Sequence, residues 1–466
     1  MWKQLKNKYL GDRAFWRMML AIAIPLIIQQ GITNLVSLLD NVMVGALGET
    51  SLSGVSIINQ LFLVFNLTLF GVLSGASIFG AQFYGVLDWR GMRDTFRFRI
   101  VFGSAVTLLS IGVFLLWGDG LAMLFLSNEN NSPAAVAETL DYAMSYLRIS
   151  LWGLIPFMLS QTYAGLLRET GQTLHPMIAS VIAIVTNLVL NYCLIYGAFF
   201  FPEMGVAGAA LATVIARILE AVYIMVYTHL HAAQYPFIVG AYRSLRIPGR
   251  LCRNIFVKGA PLMLNESLWS VGMTVISSSY SSRGLEVVAA NNIASTAWSL
   301  FCVLMFAMGS VVAIMVGQQL GAGNIEQAKE TDRRLIFVTI VSHLVMGGLL
   351  FLAAPLIPLL YEVGGQTHDL AVSMLRIQGI VLPAHAFVHV VYFTLRSGGK
   401  TLVTFLFDCV FTLGVSATLS VILCRMTALP IMTCYALVQG TDLVKVMIAI
   451  PLLKSNCWAK NIIDQE

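Results

Sequence analysis

The chain has 466 residues, of which 58% are hydrophobic and only 11% are charged, and its formal net charge is +5. A soluble domain normally carries about a quarter charged residues, so this composition excludes a fold whose surface faces only water. The mean hydropathy of +0.80 indicates a protein of the lipid bilayer. The basic loops are short and adjoin apolar segments, which argues against a nucleic-acid partner.

Twelve apolar stretches follow one another along the chain, and each is long enough to cross a bilayer as a helix. Because these stretches are continuous and long, they favour α-helices over the short alternating strands of a membrane barrel. The predicted fold class is therefore an all-α polytopic membrane protein with 12 transmembrane helices. The stretches are centred near residues 28, 66, 106, 153, 185, 217, 268, 303, 344, 383, 412 and 441.

The first stretch, Met18 to Leu39, follows a basic start and leads into Asp40 without a small-residue cleavage site. We therefore expect a retained helix and not a removed signal peptide.

Basic and acidic residues alternate from loop to loop along the chain. The acidic loops span residues 118–141 and 358–370, contain no lysine or arginine, and carry Asp119, Glu129, Glu138, Asp141, Glu362 and Asp369. The basic positions are Lys3, Lys6, Lys8, Arg13, Arg17, Arg90, Arg93, Arg97, Arg99, Arg243, Arg246, Arg250, Arg253, Lys258, Lys329, Arg333, Arg334, Lys454 and Lys460. The positive-inside rule then predicts a multi-pass protein of the cell membrane with both termini in the cytoplasm.

The sequence repeats itself at a nearly constant offset. A shift of 236 residues pairs Pro25 with Pro261, Gly48 with Gly284, Ser74 with Ser310, Gln82 with Gln318, Gly85 with Gly321 and Arg97 with Arg333. A shift of 228 residues aligns Leu167-Arg168 and Gly171 with Leu395-Arg396 and Gly399. Six helices per half is an even number, so the two bundles form a parallel 6+6 repeat whose halves would rock around a central cavity. We predict an N-lobe at residues 1–229, a cytoplasmic linker at 230–254 and a C-lobe at 255–466.

Two acids lie inside apolar segments without a basic residue in helical reach. An ionisable residue at the centre of a bilayer helix costs at least ~2.5 kcal/mol on insertion scales, so Asp40 and Glu266 each require a proton, a cation or polar partners. The alternatives are a helix-end residue that reaches water for Asp40 and a buried structural acid for Glu266. Their repeat equivalents are Ile276 and Gln30, which indicates two unlike sites.

Several other polar residues occur in the apolar segments. Asn187 and Asn191 lie one helical turn apart and could bind a cation, hydrogen-bond a carboxylate or simply join two helices. Arg217 with Glu220, and Asp442 with Lys445, are spaced as local ion pairs. Asp408 has no evident partner.

Two histidines one turn apart, His385 and His389, could titrate near physiological pH, but we favour packing or weak cavity lining. They lack the further ligands of a metal site, and the seven scattered cysteines are expected to be inert, so no metal is predicted. Pro25 and Pro261 each remove a backbone hydrogen bond early in a half, where bends are expected.

Together these motifs resemble the MATE (multidrug and toxic compound extrusion) transporter family, from about residue 15 to residue 453. The matching motifs are Asp-x-x-x-Val-Gly-x-Leu-Gly at 40–48, Gly-x-Pro before Glu266, Leu-Arg-x-x-Gly at 167–171 and 395–399, and the Gln-x-x-Gly segments at 82–85 and 318–321. The resemblance implies export of drugs or metabolites by alternating access, coupled to inward H⁺ or Na⁺, with no enzymatic activity and no cofactor besides the coupling ion.

The resemblance also implies roles for individual residues. Asp40 matches the acid of the family's N-lobe cation site, Asn187 and Asn191 match its polar pair, and Thr213 matches its hydroxyl ligand. Glu266 matches a C-lobe acid. Some branches carry a second C-lobe acid where this chain has His385, and imidazole is a poor Na⁺ ligand, so a C-lobe Na⁺ site is disfavoured.

Three functions were weighed against one another. Acids in the cavity favour an exporter of small organic cations that acts as a monomer in the bilayer. A flippase of a lipid-linked precursor would need basic residues in the N-lobe, and Arg148 and Arg376 keep that alternative open. An integral-membrane enzyme would need clustered catalytic groups, which the sequence lacks.

Overall fold

The computed structural model describes residues 9–126, 132–199, 201–361 and 363–463. The charged residues Lys3, Lys6, Lys8, Glu129 and Glu362, which enter the topology prediction, lie outside the described residues.

The described part of the chain is helical and contains no β-strand. It forms twelve helical runs, α1 to α12, at the twelve positions that the hydropathy pattern predicts, which confirms the predicted fold class. The runs are α1 Arg13–Gly45, α2 Glu49–Gly85, α3 Trp89–Leu126, α4 Pro133–Ser150 with Leu154–Glu169, α5 Leu174–Tyr196, α6 Gly205–Leu230, α7 Gly249–Ser281, α8 Leu285–Phe301 with Val303–Gly321, α9 Ile325–Ala353, α10 Gly365–Ser397, α11 Thr401–Phe405 with Thr418–Met426, and α12 Ile431–Lys454.

Ten helices in the described residues are long and apolar enough to cross a membrane. The runs without such a helix are α4 and α7. A 3₁₀ turn at Leu151–Gly153 divides α4, and α7 carries Lys258 and Glu266 within its apolar stretch.

Local signals explain where several helices begin and how they are interrupted. Ser132 caps α4 by accepting a hydrogen bond from the backbone N–H of Ala135, and Pro133 occupies the first turn, where its missing N–H costs nothing. In α11, the segments Leu406–Val410 and Thr412–Ala417 are π-helical. Such segments are rare and often mark functional sites, and Asp408 lies in the first of them.

Pro25 and Pro261 both lie inside continuous helices, α1 and α7. Each lacks the N–H that would donate within the helix, so the two repeat-equivalent positions are weak points of the first helix of each half. Bending there stays a prediction.

The described residues form two compact units. The first-half unit comprises residues 28–80 and 88–253, and the second-half unit comprises 9–27, 81–87 and 254–463. The division after Arg253 falls at the end of the predicted linker, while the start of α1 and the end of α2 join the second-half unit. Phe15 and Met19 of α1 pack there against Val311 of α8. The predicted lobe boundaries stay a prediction.

Glycine allows close helix approach in each unit. In the first-half unit, a Cβ atom at Gly208 of α6 would lie 2.5 Å from the carbonyl oxygen of Leu194 on α5. In the second-half unit, a Cβ atom at Gly347 of α9 would lie 2.3 Å from the carbonyl oxygen of Gly379 on α10. Because lipid supplies no hydrophobic drive between helices, such small-residue contacts carry much of the packing in membranes. The α5–α6 contact also brings Asn187 and Thr213 together.

Candidate functional site

All four residues predicted for the N-lobe cation site meet in the first-half unit. The side-chain amide of Asn191 donates to Oδ1 of Asp40 at 2.7 Å and to Oδ1 of Asn187 at 3.2 Å. The amide of Asn187 lies 3.1 Å from the hydroxyl of Thr213, which itself donates to the carbonyl oxygen of Ala209. Helices α1, α5 and α6 thus converge on one carboxylate, although the sequence separates Asp40 from Asn191 by 151 residues.

The Asn187 amide fits its surroundings better when rotated by 180°. In that orientation its nitrogen lies 3.0 and 3.2 Å from the two carboxylate oxygens of Asp40, and its oxygen accepts from the Thr213 hydroxyl at 3.1 Å. The rotation replaces the bond from Asn191 to Asn187 and turns the single Thr213 hydroxyl proton from Ala209 to Asn187. Both amides then donate to Asp40, which solvates the ionised carboxylate in place of water.

One acceptor of this cluster has no donor. The side-chain oxygen of Asn191 is buried and makes no hydrogen bond, and Asn191 as a whole is 2% exposed. A buried acceptor without a partner is costly and calls for an explanation. A cation between this oxygen and the Asp40 carboxylate would satisfy it, and so would the hydroxyl of a protonated Asp40.

Tyr146 of α4 and Arg217 of α6 interact electrostatically with Asp40. The guanidinium of Arg217 lies 3.4 Å from Glu220 and stacks over Phe157 at 4.5 Å, so the predicted Arg217–Glu220 pair forms. Glu220 also accepts a 3.0 Å hydrogen bond from Ser180. Arg217 therefore interacts with Glu220 and Phe157 and does not form an ion pair with Asp40 alone.

The second-half unit contains a separate group of charged residues on α7, α10, α11 and α12. Asp408 accepts hydrogen bonds from Asn265 at 3.1 Å and from Lys445 at 3.1 Å. Lys445 also donates to Thr412 at 2.9 Å. Glu266 is partly buried and interacts electrostatically with Arg396 and Asp408.

The predicted Asp442–Lys445 ion pair is wrong. Asp442 instead lies 2.7 Å from Nδ1 of His385 on α10, and Lys445 pairs with Asp408 on α11. Spacing along one helix suggested the local pair, but neighbouring helices bring closer partners to both residues. Asp408, which had no evident partner in the sequence, is in this way neutralised.

His385 and His389 have different contacts, and their place in a substrate site stays a prediction. His385 faces Asp442, whereas His389 packs against the rings of Phe306 and Phe393 at 5.4 and 5.0 Å, and its Nε2 has no hydrogen-bond partner. In the described ranges, no group of three or more histidine, cysteine, aspartate or glutamate residues could hold a metal ion.

Sequence reasoning missed Asn265, Thr412 and Tyr146 as parts of these two clusters. Asn265 precedes Glu266 directly, and an amide beside an intramembrane acid is a usable signal. Thr412 and Tyr146 are common residue types in apolar helices and carry no such signal.

Comparison with known proteins agrees with this architecture. A family model described as MatE matches the chain twice, over residues 25–193 and 261–424. The two matches begin at Pro25 and Pro261, the first pair of the repeat. A probable multidrug resistance protein NorM of Thermotoga maritima is 25% identical over 336 residues, covering 72% of this chain and 69% of that protein. A probable multidrug resistance protein YoeA of Bacillus subtilis is 27% identical over 340 residues, covering 72% and 70%.

Solved structures share the fold along nearly the whole chain. One is described as the outward-facing conformation of a multidrug resistance MATE family transporter of the MOP superfamily, with a TM-score of 0.83, 20% identity and 97% coverage of both chains. Another is a MOP superfamily transporter from Pyrococcus furiosus, with a TM-score of 0.82, 20% identity and the same coverage.

The repeated halves and the apolar helices define a multi-pass membrane protein. The chain belongs to the MATE family, because the family model covers more than half of it in two repeats. Members of this family are transporters and not enzymes, and the named relatives are multidrug resistance proteins.

Proposed function

We propose that this protein exports small organic cations from the cell by alternating access, driven by inward movement of H⁺ or Na⁺ through the Asp40 cluster. It acts as a monomer with both termini in the cytoplasm and uses no cofactor besides the transported ion. The family membership and the multidrug resistance names of the relatives support drug efflux in general. The proposal goes beyond this general function in three respects: the coupling ion, the direction of coupling and the cationic substrate.

The observation that carries the proposal is the unpartnered oxygen of Asn191 beside Asp40. An intramembrane carboxylate whose only hydrogen-bonding neighbours among the described residues are neutral amides keeps its charge uncompensated. Arg217, a base that interacts electrostatically with Asp40, is engaged with Glu220. The cluster therefore has room for one positive charge, and occupancy by an ion on one side of the membrane followed by release on the other would drive the cycle.

The two coupling ions make different use of the same atoms. A proton would sit on Asp40 and let the carboxyl group donate to the Asn191 oxygen. A sodium ion would be bound by oxygens of Asp40, Asn187 or Asn191 and Thr213, which is the ligand type that hard cations prefer. Glu266 would serve the substrate in the second-half unit, where Asp408 pairs with Lys445 and Asp442 is hydrogen-bonded to His385.

The test is uptake of a fluorescent cationic dye into inverted membrane vesicles, with ΔpH and a Na⁺ gradient imposed separately. Export predicts accumulation under one gradient, and a collapse of that accumulation when a protonophore or a sodium ionophore removes the matching gradient. The control is a set of vesicles that lack the protein. Equal dye accumulation in both sets of vesicles under every gradient would reject the proposal.

A further inference from the structure

The ends of α2 and α8 meet in a reciprocal contact inside the second-half unit. These are the repeat-equivalent Gln-x-x-Gly segments, Gln82 to Gly85 and Gln318 to Gly321. A Cβ atom at Gly85 would lie 2.0 Å from the carbonyl oxygen of Gln318, and one at Gly321 would lie 2.0 Å from the carbonyl oxygen of Gln82. Each glycine therefore lies directly against the backbone of the other helix, and only glycine fits at these two positions.

Residues 458–463, called the tail segment here, close over this contact. The amide nitrogen of the Gln82 side chain donates to the carbonyl oxygens of Ser397 at 3.0 Å and Lys460 at 3.4 Å, and its oxygen accepts from the backbone N–H of Ile462 at 2.9 Å. The side chain of Asn461 donates to the carbonyl oxygen of Gly321 at 3.0 Å. The tail segment thus bonds to both members of the contact.

Two glycines of the second half leave space for the tail segment. Trp458 is 1% exposed, and a Cβ atom at Gly398 would lie 1.6 Å from its carbonyl oxygen. A Cβ atom at Gly399 would lie 3.2 Å from Ile462. The repeat equivalent of Gly398, at an offset of 228, is Thr170. Glycine therefore stands at this position only in the half that receives the tail segment.

We propose that the tail segment is a latch for the contact between α2 and α8, on the side that the positive-inside pattern predicts to be cytoplasmic, with Gln82 and Asn461 as its two positioning residues. The inference rests on the proposed alternating access, because that cycle requires the ends of α2 and α8 to separate. The latch bonds hold them together in the present state, and their rupture accompanies opening on this side.

Few bonds are involved, so the latch is reversible. A net contribution of about 1 kcal/mol for a hydrogen bond corresponds to about a fivefold change in the population of an open state. Gln82 is fully buried, so removing its side-chain amide withdraws three bonds at once and also leaves their protein partners unpaired. Asn461→Ala withdraws a bond on the opposite side of the contact.

The experiment is hydrogen–deuterium exchange of the purified full-length protein, read at the ends of α2 (residues 81–87) and α8 (residues 318–323). Gln82→Ala is expected to speed exchange about fivefold or more at residues 318–323, which Gln82 reaches only through the closed contact and the tail segment. Asn461→Ala is expected to do the same at residues 81–87. Lys460→Ala is the matched control, because only the backbone carbonyl of that exposed residue takes part.

Unchanged exchange at residues 318–323 in Gln82→Ala, or at residues 81–87 in Asn461→Ala, would overturn the latch. If Gln82→Ala fails to fold, as judged by size-exclusion profile and melting temperature, the Asn461→Ala result decides. The readout needs neither substrate nor ion gradient, so a protein that exports no dye can still show the latch. Conversely, if the protein exports dye but hydrogen–deuterium exchange is unchanged in these variants, the protein is an exporter without the latch.

Discussion

At the scale of single residues, the N-lobe cluster shows how neutral groups can hold a charge inside a membrane. Asp40 is surrounded by the amides of Asn187 and Asn191 and by the Thr213 hydroxyl, with Arg217 committed elsewhere. Amide donors stabilise the ionised carboxylate, while the unsatisfied Asn191 oxygen leaves a place for a positive charge. In the proposed mechanism, the same cluster would pass through an ion-occupied and an empty state.

Sequence reasoning could assemble this cluster only in part. Asp40 stands out because it is an acid in an apolar segment, and Asn187 with Asn191 because they share a helix face. Thr213 was reached through the family resemblance alone, because a threonine in an apolar helix is not distinctive. The contact between α1 and α5 is tertiary, and no spacing along one helix predicts it.

Glu266 differs from Asp40 because charged residues surround it. Its neighbours include Arg396 and Asp408. If its negative charge attracts the cationic substrate, Glu266→Gln removes that attraction while keeping the side-chain shape. We expect Glu266→Gln to lose most dye export, by about tenfold or more, with unchanged protein abundance.

The measurement is the initial rate of dye uptake in inverted vesicles, normalised to the amount of protein. Glu286→Gln, an acid in the first turn of α8, is the control and keeps wild-type transport. Wild-type transport by Glu266→Gln would reduce Glu266 to a structural acid.

At the scale of elements, the hydropathy pattern predicted every helical run, and ten of the runs contain a helix long and apolar enough to cross a membrane. It gave neither the 3₁₀ turn in α4 nor the π-helical segments in α11. Those interruptions depend on packing against neighbouring helices. The mistaken Asp442–Lys445 pair has the same origin, since sequence spacing reports contacts within a helix and not those across α10, α11 and α12.

The corrected pairing makes a prediction about stability. Lys445 is 5% exposed, so Asp408→Asn leaves its charge buried and unpaired, at a cost of about 3 kcal/mol. We expect Asp408→Asn to lower the melting temperature in detergent. The double variant Asp408→Asn with Lys445→Met removes both charges and should recover most of the loss.

The effect is measured by thermal unfolding, which is monitored as the loss of monodisperse protein. Glu326→Gln, which breaks the exposed Lys329–Glu326 pair, is the control and should melt like the wild type, because surface ion pairs contribute little. A double variant that melts no higher than Asp408→Asn would contradict the pairing of Asp408 with Lys445.

At the scale of the whole molecule, the repeat is the most informative feature of the sequence. The pairs at an offset of 236 begin with Pro25 and Pro261, and the family model matches from these same two positions. An even number of helices per half gives both halves the same orientation in the membrane, so the topology follows once one loop is placed. The positive-inside rule predicts that the basic segment 230–254 lies in the cytoplasm.

That topology is tested with a cysteine at Arg246, an exposed position in this segment. In a background without the native cysteines, Arg246→Cys should react with a membrane-impermeant maleimide only after the cells are opened. Asp119→Cys, at the predicted outer end of α3, is the reciprocal control and should react in intact cells. Labelling of Arg246→Cys from outside intact cells would invert the topology.

The central claim, that Asp40 couples ion entry to export, is tested most directly by dye uptake into inverted vesicles that contain Asp40→Asn. We expect no gradient-driven uptake by this variant, although it still binds the dye, whereas Asn187→Ala loses a smaller factor and Asp119→Asn transports like the wild type. The amide keeps the size of the aspartate, but it carries no negative charge and cannot take up a proton or pair with a sodium ion. Uptake by Asp40→Asn at the wild-type rate under a proton or sodium gradient would contradict the coupling role of Asp40 and make Glu266 the leading candidate for coupling.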